Sequence, residues 1–350
     1  MSSQLQARPF DPAGLLELAS GGAKGDRRSL ARLLSLVERG GPAARELSRL
    51  THPRAGRAYS IGLTGAPGAG KSTLTGRLVS EALAHGSGPV AVLAIDPSSP
   101  ISGGAILGDR VRMQDHALDR SVYIRSMATR GHLGGLAAAV PDAVRLLDAA
   151  GWPLVIVETV GVGQVEVEVA GTCDTVVVVL NPGWGDAVQA NKAGLLEVAD
   201  VLVINKSDRP GVRETRRDLV HMLQLSGEME WTPPIVETVG SSGEGLGELW
   251  EAIESHRSHL ESGEGLARRR ASRAAEEVER LALDACGHLA SAVLGRVPAP
   301  EAGLSPTSPG VEAALAAGRT LLERLSAREL DVVGAADELT AILGRLLTRG

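Results

Sequence analysis

The chain has 350 residues, 43 of them glycine, and its few aromatics are four Trp, two Tyr and one Phe, so Ala, Val and Leu must fill any core. A formal net charge of −6 argues against a general nucleic-acid binder, which carries an excess of Lys and Arg. No apolar run reaches the ~20 residues that span a bilayer, and the N-terminus shows no signal-peptide core; no membrane partner and a cytoplasmic location are expected.

Residues 1–58 read as a helical preface. Leu15, Leu16 and Leu18, then Leu30, Leu33, Leu34 and Val37, then Leu47 and Leu50 recur at helical spacing, broken by Gly21-Gly22 and Gly40-Gly41-Pro42. From residue 59 to 259 apolar runs alternate with helical stretches. Strands are expected at 59–64, 89–95, 122–127, 153–158, 175–180, 201–204 and 235–238, with helices around 72–84, 134–150, 187–198, 212–225 and 246–257. Continuous Val/Ile/Leu runs separated by helices imply an α/β fold with a doubly wound, mostly parallel sheet, whose ligands bind at the carboxyl ends of the strands. Residues 260–350 read as a helical arm. It opens with a helix in which Arg268, Arg269, Arg270, Arg273 and Arg280 alternate with Glu276, Glu277 and Glu279, opposite a face of Leu266, Val278, Leu281 and Leu283. The arginines read as a solvated face or a phosphate-binding patch; an apolar arm outside the main domain suggests oligomerisation. Cys173 and Cys286 stand far apart in no metal-like spacing, which points to a reducing compartment and to two buried small hydrophobes.

The first strand runs into Gly65-Ala66-Pro67-Gly68-Ala69-Gly70-Lys71-Ser72-Thr73 and then into a helix, the context a phosphate-binding loop requires. Gly65, Gly68 and Gly70 let backbone N–H groups close around a polyphosphate. Lys71 supplies a mobile charge for the β and γ phosphates, the helix N-terminus adds its dipole, and Ser72 is left to ligate Mg²⁺. A plain Gly-rich turn is the alternative. Asp96 ends the second strand, and Asp109 lies in a Gly-rich segment beyond it; both are candidates for the metal shell, with a turn or helix cap the other role for Asp109. The fourth strand ends in Glu158, followed by Thr159, Val160 and Gly161. That order suits a carboxylate acting on Mg²⁺ or its water, with the Gly161 N–H offered to a γ-phosphate. Gln164 either orients the attacking water or is structural.

Asn205-Lys206-Ser207-Asp208 follows the sixth strand. Asp208 can accept from the N1–H and the exocyclic amine of guanine, a donor pair adenine lacks, so the site selects GTP over ATP. Asn205 can tie this loop to the phosphate loop, and the Lys206 stem can cover the base. The Gly/Pro loop Asn181–Asp186, continuing to Gln189 and Lys192, is left unexplained by these roles.

With these residues assembled, the chain closely resembles the MeaB/ArgK/MMAA family of P-loop GTPases, chaperones of adenosylcobalamin-dependent methylmalonyl-CoA mutase. The resemblance rests on GAPGAGKST (65–73), IDPSSPISGGAILGDRVRM (95–113), IRSMATRGHLGG (124–135), ETVGVGQVEVEV (158–169) and VINKSD (203–208), and extends to SGEGLGELW (242–250) and GAADELT (334–340). It implies slow Mg²⁺-dependent conversion of GTP to GDP, a homodimer formed through helical termini, and binding to the mutase to gate loading and exchange of its cofactor. It further implies that Gln189 and Lys192 couple the loop to the mutase, and that Val239, Gly240 and Ser241, in place of the family's Ser-Ala-x, meet the base mainly through backbone. Trp184 replaces a small residue in the coupling loop. Two other readings compete: a nickel-delivering GTPase, which would need a Cys/His cluster near the nucleotide, and a GTP-dependent kinase, which would need an acceptor site.

Overall fold

The computed structural model describes residues 11–96, 116, 118–128, 133–159, 171–183, 198–225, 227, 229–306 and 308–348. Two compact units divide the chain, one ending at Leu266 and the other starting at Ala267.

In the first unit, three α-helices among the described residues precede the sheet: α1 (Pro12–Ala19), α2 (Arg27–Arg39) and α3 (Pro42–Thr51). Asp11 caps α1 by accepting from Gly14 N at 3.0 Å. Asp26 caps α2 by accepting from Ser29 N at 2.8 Å and Ser29 Oγ at 2.6 Å, and these bonds hold its carboxyl below the ordinary range. Gly40, at φ 67, ends α2, and Pro42 begins α3.

The sheet comprises β1 (Tyr59–Gly65), β2 (Val90–Asp96), β3 (Val122–Ala128), β4 (Leu154–Thr159), β5 (Thr175–Leu180), β6 (Val201–Asn205) and β7 (Ile235–Thr238). Between them run α4 (Lys71–Ala84), α5 (Leu133–Ala149) and α6 (Val212–Leu225), and α7 (Leu246–Glu261) follows β7. The strand order is β3-β2-β4-β1-β5-β6-β7, every pair parallel. The expected strands all form, with bounds shifted by a residue or less; β4, β5 and β6 are nearly continuous aliphatic runs, while β1 alternates Tyr59, Ile61 and Leu63 with Ser60, Gly62 and Thr64. The helix expected at 187–198 lies almost wholly outside the described residues.

One face packs Ala91, Leu93, Val155 and Val157 against Val140, Leu146 and Leu147 of α5 and Leu30, Leu33, Leu34 and Leu47 of α2 and α3. The preface is thus part of the main core. Its junction with β1 is fixed by Asp148, which accepts from the backbone of Gly56, Arg57 and Ala58 at 2.5, 3.1 and 3.0 Å. The other face packs Ile61, Leu63, Ile156, Val177 and Val203 against Leu74 and Leu78 of α4 and Leu249, Trp250 and Ile253 of α7. Leu219 of α6 joins Val178, Leu202 and Ile204 in a third cluster.

The second unit contains most of α8 (Gly265–Val293), then α9 (Pro309–Ser326) and α10 (Val332–Thr348). Val293, Ala314 and Ile342 form a small core, and Arg324 pairs with Glu338 at 2.8 Å. Of α8, only Ala292 and Val293 are buried, while Val278, Leu281 and Leu283 are 66%, 51% and 65% exposed. Cys173 is buried as expected, but Cys286 is exposed: the sequence shows an apolar face on α8 without showing that this unit leaves it uncovered.

At the N-terminal ends of the strands, Tyr59 Oη and Thr175 Oγ1 share a hydrogen bond of 2.6 Å, and Thr175 Oγ1 lies 2.9 Å from His256 Nδ1. His256 Nε2 stands 3.3 Å from Asp200 Oδ1, whose other oxygen accepts from Val176 N at 2.7 Å. Burial pushes the Tyr59 phenol above its ordinary value, with the Asp174 and Asp200 carboxylates adding to the rise and the Thr175 hydrogen bond opposing it. A raised folded-state value means that this contribution is intact below about pH 10 and is lost as the pH climbs, since the unfolded phenol ionises first. Tyr59→Phe should therefore flatten the alkaline fall in stability while costing about 1 kcal/mol at neutral pH; urea denaturation at about pH 8 and about pH 10.5 measures both.

Candidate functional site

The carboxyl ends of β1, β4 and β6 and the start of α4 converge on residues 65–73. Gly65 has φ 132, and a Cβ there would overlap the Val179 carbonyl of β5. The next residue, Ala66, donates to that carbonyl at 3.1 Å. Gly68 (φ 69) faces open space, with nothing within 4 Å of where a Cβ would stand. At Gly70 (φ 94) a Cβ would overlap Asn205 Nδ2. The loop therefore requires glycine for three different reasons: a strand contact, an open concave side and a side-chain contact. Pro67 stands at its exposed tip, while Ala66 and Ala69 are buried.

Lys71 and Ser72 are both buried. Lys71 Nζ reaches back to donate to Gly65 O at 2.7 Å and Ala66 O at 3.0 Å, placing its charge inside the loop. Ser72 Oγ donates to Glu158 Oε1 of β4. The register explains this meeting: Glu158 pairs with Leu63, so it faces α4 at the level where β1 ends. A buried carboxylate beside a hydroxyl at a helix N-terminus is a hard-oxygen donor set of the kind Mg²⁺ takes. Asp96 ends β2 one residue past the Ile95–Thr159 register pair, on the strand adjacent to β4. Thr73 is exposed on the first turn of α4. Asp109, Gly161 and Gln164 lie outside the described residues, as do Trp184, Gln189 and Lys192.

Asn205 closes the site from the other side. It is 2% exposed; its Nδ2 donates to Ala69 O at 2.6 Å, and its Oδ1 accepts from Gly240 N at 3.0 Å and Thr238 Oγ1 at 3.1 Å. One amide thus joins the phosphate loop to the segment after β7. Lys206, at φ 62, donates from Nζ to Gly68 O at 2.5 Å; a non-glycine residue in this conformation costs energy the surroundings must hold. Asp208 is exposed beyond it. The Val239–Ser241 turn is closed by Val239 N to Glu244 O at 3.0 Å and by Ser242 N to Val239 O at 3.1 Å. Gly245 (φ 74) must be glycine, because a Cβ would overlap Glu237 O.

Of the residues singled out in the sequence, hydrogen bonds join Lys71 to Gly65 and Ala66, Ser72 to Glu158, Asn205 to Ala69 and Gly240, and Lys206 to Gly68, while Asp208 stands exposed beyond them. One contact the sequence does not signal comes from Arg77 of α4, which bonds the Gly240 and Ser241 carbonyls. Its partners are backbone atoms more than 160 residues away, so no local pattern marks it. Among the described residues, no group of three or more His, Cys, Asp or Glu is placed to hold a metal ion.

Removing the Asn205 amide strands a buried carbonyl and a buried N–H. Asn205→Ala should lower stability by about 2–3 kcal/mol, and Asn205→Asp at least as much, since a carboxylate cannot donate to Ala69 O. Urea denaturation reads both; wild-type stability in either variant would contradict the assignment.

Comparison with known proteins agrees with this geometry. The family described as methylmalonyl-CoA mutase-associated GTPase MeaB matches residues 30–293. A Pyrococcus abyssi protein with a GTPase designation is 46% identical over 320 residues, 90% of this chain and 92% of the relative. The GTPase ArgK of Escherichia coli is 40% identical, over 66% of this chain and 72% of its own. The mouse mitochondrial methylmalonic aciduria type A homolog is 36% identical, over 72% and 65%. Among solved structures, that of a protein described as a LAO/AO transport system kinase superposes with a TM-score of 0.67 at 25% identity, covering 96% of this chain and 99% of the other. The chain belongs to the MeaB family of P-loop GTPases.

Proposed function

We propose that this chain is a Mg²⁺-dependent GTPase that acts as a chaperone of an adenosylcobalamin-dependent acyl-CoA mutase of the methylmalonyl-CoA type, gating cofactor loading and protecting or reactivating the mutase. The observation that carries the nucleotide part is the Asn205 amide, which fastens the phosphate loop to the loop bearing Lys206 and Asp208. The client is supported by the family description, which names a methylmalonyl-CoA mutase association, and by the methylmalonic aciduria designation of the mouse relative.

In this reading the backbone N–H groups from Gly65 to Thr73 line the polyphosphate, and the Lys71 ammonium neutralises the charge that grows on it. Ser72 and Glu158 would hold Mg²⁺, with Asp96 and Asp109 added on sequence grounds; when bound, the ion supplies Lewis-acid stabilisation of the phosphate oxygens. Glu158 and Ser72 are already side by side and buried, so the acid is positioned before any ligand arrives. Gly161 and Gln164 are assigned to the γ-phosphate and to the attacking water. Asp208 accepts the two donors of the guanine edge, which leaves adenine with an unsatisfied carboxylate. The helical unit forms a homodimer, a reading supported by the exposed Val278, Leu281 and Leu283 on one helix. No helix among the described residues is long and apolar enough to cross a membrane.

Purified protein should hydrolyse GTP and not ATP, faster once an adenosylcobalamin-dependent mutase from the same source is added. Lys71→Ala should reduce turnover by about 100-fold or more. Phosphate release without mutase dependence would sink the client assignment; equal use of ATP would sink the guanine site.

A further inference from the structure

α4 begins at the phosphate loop, and six residues after Lys71 its Arg77 side chain turns toward the segment that follows β7. Arg77 Nε donates to Gly240 O at 3.3 Å, and a terminal nitrogen donates to Ser241 O at 3.0 Å. These are successive carbonyls of one loop, bonded by two nitrogens of one planar guanidinium. A flexible ammonium holds such a pair less well, since its donors are not fixed in a fork.

The grip has a geometric consequence. In a planar trans peptide the C=O and the following N–H point in opposite directions. Holding the Gly240 and Ser241 carbonyls toward α4 turns the Ser241 and Ser242 N–H groups away from it; Ser242 N then closes the turn on Val239 O. Gly240 is held from both sides, its N–H by Asn205 and its carbonyl by Arg77. It also lies against the first turn of α4: a Cβ there would stand 3.3 Å from Leu74, 3.4 Å from Asn205 Oδ1 and 3.5 Å from Thr73. The common role of an exposed arginine on a helix is solvation, but solvation gives no reason to select two adjacent carbonyls of the loop that Asn205 also holds.

We propose that Arg77 is a positioning residue for base selection: by fixing the Gly240 and Ser241 carbonyls it sets the backbone orientation of the loop that meets the guanine. The inference rests on the reading of this site as guanine-specific. Arg77 touches no reacting atom, and the phosphate loop keeps its own contacts without it.

The test measures GDP, ADP and inorganic tripolyphosphate binding by the full chain, by Arg77→Ala and by Arg77→Lys, with thermal melting confirming that each is folded. Arg77→Ala should weaken GDP about fivefold, as expected for losing partly exposed hydrogen bonds, and leave tripolyphosphate binding as it was; Arg77→Lys should recover part of the loss. GDP and tripolyphosphate weakened equally would mean that Arg77 only supports α4, and no change in either would mean that the grip is idle; each overturns the proposal. Wild-type protein that binds ADP as tightly as GDP would overturn the guanine reading itself, and the proposal with it. If Arg77→Ala does not fold, Arg77→Lys alone decides: GDP weakened relative to tripolyphosphate supports the proposal, and an unchanged ratio overturns it.

Discussion

Asn205 holds together segments that are 136 and 35 residues away from it in sequence, through Ala69 and Gly240. Because the side chain is buried, neither contact can be exchanged for water without leaving a polar atom unsatisfied. The rest of the site is arranged around this constraint. Gly70 has no side chain because Asn205 occupies that space, and Lys206, next in sequence, takes a left-handed backbone that carries its Nζ to Gly68 O. The phosphate loop is therefore held by β5 through Ala66 at one end and by β6 through Asn205 and Lys206 at the other.

The sheet makes this possible. All seven strands are parallel, so their carboxyl ends lie on one edge, and β1 sits between β4 and β5. The register that pairs Leu63 with both Glu158 and Val177 brings the acid of β4 level with the end of β1, on the α4 side. The three helices before β1 add to stability by covering the opposite face around Leu93 and Val155. At the far ends of the same strands, the buried Tyr59, Thr175, His256 and Asp200 array fixes where β1, β5 and β6 begin. Polar groups thus set both ends of the sheet, and aliphatic packing supplies the middle.

The strands and the phosphate loop were legible in the sequence for a plain reason: each depends on a contiguous run whose residue types have local causes. β5 is Thr followed by Val, Val, Val, Val and Leu, and an aliphatic run that short between Gly-rich turns can hardly be anything but a buried strand. The Gly65 to Ser72 motif likewise carries its own geometry. Asn205 was legible as a tie because its tetrapeptide has a recognisable spacing. Arg77 was not, since it recognises backbone carbonyls that any sequence would provide. The exposure of Cys286 and of Val278 was equally hidden, because helical periodicity shows that a helix has an apolar face without showing whether anything in the same chain covers it. The sequence assignments of Asp109, Gly161 and Gln164 rest on motif order alone.

The site depends on a single buried amide, that of Asn205, making one unit of the 65–73 loop and the 239–241 turn. Amide hydrogen exchange of the free protein, compared between wild type and Asn205→Ala, tests it most directly. Amides in 65–73 and in 239–241 should lose protection together in Asn205→Ala, while those of α5 and β2 keep theirs. Loss confined to one of the two loops would show that they are held independently, and would contradict that dependence.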